Sequence, residues 1–222
     1  MDLSKKRPGT WQDAYRAIRQ QQDGLPALSL RTLPSHNTVL MIMDMVNGFV
    51  NHGALASPRV KKIQPKINGL QRLCSSSGIF CLAFCDCHDP ESPEFRSFPA
   101  HCLRGTEESA LTEEVLKAGV DLIVEKNSTN GFLEPSFQRW LTEHPQISNF
   151  LIVGDCTDLC VMHFAISLKT DFNRRNQTSR VVVPIQLVET YDLGCHDAEL
   201  ANTMALYQMS LAGVELVSQI IE

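Results

Sequence analysis

Asp44, Lys126 and Cys160 are far apart in the chain but have the residue types that amide hydrolysis through a thioester needs. They offer a base for the thiol proton, a cation to hold that base ionised, and a nucleophile. Cys160 lies in L-I-V-G-D-C-T-D-L-C-V (151–161). There an apolar run stops at Gly154, crosses Asp155, Thr157 and Asp158, and enters a helical pattern at Val161, Phe164, Ala165 and Leu168. The pattern predicts a strand that turns directly into a helix. A cysteine in the first helical turn meets unpaired N–H groups and the positive end of the dipole, which favour thiolate over thiol. Taken alone, the same cysteine reads as a small buried hydrophobe. Asp44, which closes the run T-V-L-M-I-M, taken alone reads as a turn cap with Asn47 and Gly48.

A second cluster is Asp86, His88, Glu94 and His101. Asp86 and His88 are two apart on extended chain, so both project from one face while Cys85 and Cys87 point to the other. A carboxylate and an imidazole at that spacing suit one borderline divalent ion, with zinc, manganese and iron as the candidates. His101 returns from a proline-rich loop to complete the set. A rival set, Cys85, Cys87, His101 and Cys102, would form a structural zinc site. Its C-x-C sits on a continuing strand that splays its thiols from Asp86, and paired C-x-x-C knuckles are missing.

These side chains need a frame. The run Thr38 to Met43 is apolar without alternation, as a parallel strand covered on both faces requires. A helical pattern follows at Val60, Ile63, Ile67, Leu70 and Leu73. Further strands are predicted over 79–84, 121–125, 150–153, 180–188 (despite Pro184) and 214–217, with helices around 111–118, 137–141, after Val161, and over 197–211. This alternation predicts a three-layer α/β/α domain with a mainly parallel sheet of about six strands. Asp44, Asp86, Lys126 and Cys160 then all fall just beyond carboxyl ends of strands, the edge where open parallel sheets bind ligands. Residues 1–35 read as a helical arm and 36–222 as the main domain. Thr10 and Asp13 form a possible capping box, and Trp11, Tyr15 and Ile18 form a stripe that should dock on the domain or on a second subunit.

The 222 residues carry a net charge of -5 with scattered Lys and Arg, so the chain has no electrostatic footprint for nucleic acid or an anionic membrane. No apolar stretch approaches the ~20 residues of a membrane span. The opening M-D-L-S-K-K-R-P lacks the apolar region of a secretory signal. A cytoplasmic protein with a small-molecule substrate is the expectation. The eight cysteines sit inside strand-like and helix-like runs, which predicts reduced thiols rather than a disulfide framework.

D-M-V-N-G-F (44–49), C-D-C-H-D-P (85–90), F-P-A-H-C-L-R-G-T-E-E-S (98–109), Lys126 and G-D-C-T-D-L-C-V (154–161) together resemble the isochorismatase-like cysteine hydrolases, and within them the nicotinamidases. The resemblance runs in register from about residue 38 to the C-terminus and implies a Rossmann-like α/β fold. It implies that Cys160 attacks a carboxamide carbon, that Asp44 moves the proton, and that Lys126 tunes Asp44. It also implies a cis peptide at Cys156–Thr157 and an oxyanion hole from the N–H groups of Thr157 and Cys160. Asp86, His88 and His101 match the family's metal ligands, with zinc first among the candidate ions, and Glu94 matches a ligand that only some members have. Phe49 and Phe98 match pocket aromatics, Phe98 standing where many nicotinamidases carry tryptophan. The implied reaction turns nicotinamide into nicotinate and ammonia. A carbamoyl or ureido amidohydrolase of the same family, or a non-catalytic binding member, is the alternative. Family members are commonly oligomeric, so a homo-oligomer is implied. His52, His163 and His196 receive no role.

Overall fold

A computed structural model describes residues 9–222, so the start of the 1–35 arm lies outside the described residues. Strands β1 (Leu28–Ser29) and β9 (Ile220–Ile221) pair with each other. The central sheet contains β2 (Thr38–Met43), β3 (Phe80–Asp86), β4 (Leu122–Lys126), β5 (Asn149–Asp155), β6 (Arg180–Pro184), β7 (Val188–Glu189) and β8 (Glu215–Val217). Every pairing in it is parallel. The helices are α1 (Trp11–Asp23), α2 (Asn47–Val50), α3 (Pro58–Ser76), α4 (Glu113–Ala118), α5 (Pro135–Glu143), α6 (Met162–Arg174) and α7 (Ala198–Leu211).

The strand order is β4-β3-β2-β5-β6-β8, with β7 lying against β5. From β2 the chain winds outward through β3 to β4, then returns so that β5 lies on the other side of β2 and winds outward the opposite way. The winding therefore reverses between β2 and β5, and that is where an open α/β sheet leaves a crevice at its carboxyl edge. Asp44 follows β2, and the Cys160 turn follows β5.

Both sheet faces are covered. On one face Val60, Ile63, Ile67 and Leu70 of α3 and Val115 of α4 pack on Leu40, Ile42, Cys81 and Leu151. On the other, Phe137 and Trp140 of α5, Phe164 and Leu168 of α6 and Met209 of α7 pack on Val39, Met41, Phe84 and Ile152. Fully burying a side chain such as Ile67 or Phe164 contributes about 1.5–3 kcal/mol, which explains the unbroken apolar strands.

Two details depart from the sequence expectations. The strand expected over 180–188 is two short strands, because Pro184 has no N–H to continue the ladder and a 3-10 turn follows at Ile185–Leu187. The second piece, β7, pairs with Gly154 and Asp155 of β5, raising the sheet to seven strands. Helix α4 begins at Glu113 rather than 111, since Leu111 is held in a bridge to Val46. Trp11 is 72% exposed and is not covered by its own domain, while buried Gln22 ties α1 to α7 through the Thr203 carbonyl at 3.0 Å. The Thr10–Asp13 capping box is present.

Gly154 lets the two central strands meet. Its φ is +115°, and a Cβ there would lie 2.0 Å from the Met43 carbonyl oxygen. No other residue type fits this crossing, immediately before Asp44.

Candidate active site

Lys126 is the last residue of β4 and pairs in register with Asp86, the last residue of β3. Its fully buried Nζ lies 2.5 Å from Asp86 Oδ1 and 3.0 Å from Asp44 Oδ2, and donates to Cys160 Sγ at 3.5 Å. Gly131 leaves space for the Phe84 ring and, less tightly, for this stem: a Cβ there would lie 2.7 Å from Phe84 Cδ1 and 3.3 Å from Lys126 Cδ. One ammonium thus joins all three groups. Burial opposes its charge, but Asp44 and Asp86 hold Lys126 protonated, well above the usual lysine range.

The carboxylates around it differ. Burial pushes Asp44 up to about 6, with Lys126 pulling the other way and Asp86 adding to the rise. Both Asp44 oxygens are buried and accept no hydrogen bond of good geometry among the described residues, so they remain open to a proton. Burial also acts on Asp86, yet Lys126 and the bonds from His101 and His88 hold it well below the usual carboxylate range. Asp155, buried at the end of β5, is pushed well up by burial and by Asp44.

Cys160 lies in a π-helical turn, Thr157–Val161, that leads into α6. Its thiol is pushed up by burial more strongly than Lys126 pulls it down. Cys160 is therefore a thiol at rest, not the thiolate that its place at a helix start suggested: removal of water outweighs the dipole. A second correction concerns the backbone. The cis peptide joins Asp155 to Cys156, one residue before the expected Cys156–Thr157 bond. Cys156 is still extended and Thr157 already belongs to the helical turn, so the Cys156–Thr157 bond is the ordinary trans entry into that turn.

His88 Nε2 is 2.9 Å and His101 Nε2 3.0 Å from the same Asp86 Oδ2. All three side chains are buried, and their ligand atoms lie within 4.8 Å of one another. The chemistry of this donor set fits a divalent ion. His101 Nδ1 faces the Pro99 carbonyl at 2.8 Å, and a carbonyl only accepts, so Nδ1–H donates there and Nε2 is the nitrogen turned towards Asp86 and a shared ion. Glu94 stands apart, with Oε2 3.9 Å from His88 Nε2 and its carboxylate accepting from the Thr129 N–H at 2.9 Å. The rival set stays separate: Cys85, Cys87 and Cys102 are buried free thiols and do not join the histidines.

A pocket opens over these groups. Phe49, Phe98, Glu94, Asp86, His101, Cys156 and Cys160 line it, as do Leu55, Thr129, Leu159 and Tyr191, which the sequence reading had not assigned. Phe49 lies 5.6 Å and Phe98 6.2 Å from the His101 ring. Thr157 is fully buried and off this wall. The pocket therefore has the Cys160 thiol at one place, the Asp86 and His101 side chains at another, and aromatic sides between. No helix among the described residues is long and apolar enough to cross a membrane.

The isochorismatase domain family matches residues 38–212. Nicotinamidase 1 of Arabidopsis thaliana is 30% identical over 215 residues, covering 82% of this chain and 85% of the plant protein. Among solved structures, N-carbamoylsarcosine amidase of Thermoplasma acidophilum is 25% identical with a TM-score of 0.66, covering 82% of this chain and 95% of its own. The zinc complex of a pyrazinamidase of Pyrococcus horikoshii is 22% identical with a TM-score of 0.64, covering 82% and 98%. With the family match spanning most of the chain and both sheet and site in place, the chain belongs to the isochorismatase family.

Proposed function

We propose that this protein is a nicotinamidase: an amidohydrolase that converts nicotinamide to nicotinate and ammonia through a thioester on Cys160. One observation carries the reading. Lys126 Nζ sits between Asp44 at 3.0 Å and Cys160 at 3.5 Å, under a pocket lined by Phe49 and Phe98. Base, cation and nucleophile are thus assembled where a flat aromatic amide would fit.

Asp44 takes the Cys160 proton as Sγ bonds to the amide carbon and the carbonyl electron pair moves onto oxygen. The Cys160 N–H and a second N–H from the turn before it would meet the developing charge: Thr157 is the donor that the sequence suggests, and Cys156 is the neighbour that lines the pocket. Collapse breaks the C–N bond, and Asp44 returns the proton to the departing ammonia. Asp44 then takes a proton from water as the water oxygen bonds to the thioester carbon. The C–S bond breaks and Asp44 reprotonates the Cys160 sulfur. Lys126 stays charged throughout and limits how far Asp44 rises.

Asp86, His88 and His101 would hold one divalent ion, zinc by preference over manganese or iron, with Glu94 at most an outer contributor. Such an ion supplies a Lewis-acid anchor for a pyridine nitrogen. The thiol requires reducing surroundings, so we place the enzyme in the cytoplasm, where we expect a homo-oligomer.

The test is ammonia release from nicotinamide by purified protein before and after chelation. Chelation should raise KM by about tenfold or more, restored on adding zinc. Turnover of a ureido compound but not of nicotinamide would replace this reading with the ureido one. The pH profile adds a sign. The base must be ionised, so kcat/KM should fall as pH drops through about 6, the value at which Asp44 takes up its proton. A limb absent down to well below that value would remove Asp44 from the role.

A further inference from the structure

The loop after β7 carries a group that the mechanism does not use. Tyr191 lines the pocket beside Cys156, Leu159 and Cys160. Its ring stacks on His196 at 4.2 Å with an interplanar angle of 14°. His196 Nδ1 lies 2.8 Å from the Tyr191 carbonyl oxygen, and His196 Nε2 lies 2.7 Å from Asp158 Oδ2. A carbonyl and a carboxylate only accept, so both ring nitrogens donate and the ring is an imidazolium. Burial opposes that charge, yet the bonds to Asp158 and to the Tyr191 carbonyl hold the His196 pKa above its ordinary value.

Asp158 belongs to the same turn as Cys160. His196 is therefore a cross-brace. One nitrogen grips the nucleophile turn, the other grips the backbone of the pocket residue, and the ring face carries that residue's side chain. The loop closes on itself through the Leu193–His196 bridge, and the Ala198 N–H donates to Asp192 at 2.8 Å. Tyr191 is thereby fixed relative to the sulfur instead of moving with a free loop.

We propose that Tyr191 is a specificity-determining wall of the substrate pocket, and that Asp158 and His196 are positioning residues that hold its ring against a flat aromatic amide bound over Cys160. The choice of an aromatic amide rests on the nicotinamidase reading; the wall itself does not. A third aromatic, with Phe49 and Phe98, gives the pocket a grip that a compact ureido substrate would not use.

The experiment compares wild type with Tyr191→Ala, Tyr191→Phe, His196→Ala and Asp158→Asn. With nicotinamide, Tyr191→Ala, His196→Ala and Asp158→Asn should raise KM about tenfold or more with kcat little changed, while Tyr191→Phe should stay close to wild type. The Asp158→Asn and His196→Ala effects should not add in the double variant. A fall in kcat at unchanged KM, or additive effects, would overturn the brace while leaving the nicotinamidase reading intact. If wild type does not hydrolyse nicotinamide, that reading fails, and the wall is tested by alkylation of Cys160 read from its peptide mass. His196→Ala should then speed modification by bulky N-ethylmaleimide while leaving the small iodoacetamide unchanged. Equal acceleration of both reagents, or of neither, would overturn the wall.

Discussion

Replacing Cys160 by alanine should lower kcat for nicotinamide by at least about 10⁴-fold while leaving nicotinamide binding measurable by calorimetry. The size follows from the site. Lys126 and Asp44 act on the sulfur, and without it neither has a bond to make. The pocket wall is formed mainly by other residues, so affinity should survive. Cys160→Ser would be nearly as inactive, because a hydroxyl is far harder to deprotonate than a thiol and Asp44, near 6, is a modest base. Activity within tenfold of wild type in Cys160→Ala would remove covalent catalysis.

Lys126→Met should have the largest effect on folding. The side chain is fully buried between Asp44 and Asp86, and removing its charge leaves two carboxylates facing each other without a counter-ion. A loss of about 3–5 kcal/mol is expected in urea unfolding of the metal-free protein at neutral pH, together with loss of turnover. The deficit should shrink as pH falls towards about 6, because without Lys126 to pull it down Asp44 takes up its proton at a higher pH than in the wild type, and that proton removes one of the two unbalanced charges. A change in stability within about 0.5 kcal/mol would mean that the ammonium does not bind the cluster together.

The strand ends were legible in the sequence because a charged residue closing an apolar run marks where a parallel strand leaves its two covering layers. Asp44, Asp86 and Lys126 all showed this mark. Their mutual contacts were not legible. The 2.5 Å pairing of Asp86 with Lys126 depends on β3 and β4 being neighbours in register, and strand order is a property of the whole winding. The state of the Cys160 thiol was misread for a related reason. The dipole at a helix start can be read locally, whereas burial comes from residues throughout the chain. Pro184 did give a local warning, and the strand does break there. His196 gave none, since its partners Asp158 and Tyr191 are joined to it only by the fold.

On the proposed mechanism an acyl group passes from nicotinamide to Cys160 before water takes it. Turnover in the presence of hydroxylamine tests this most directly, because a thioester partitions between water and the added nucleophile. Nicotinohydroxamate should appear at the expense of nicotinate while ammonia is still released. Nicotinate as the only acyl product at high hydroxylamine, with ammonia release undiminished, would contradict it.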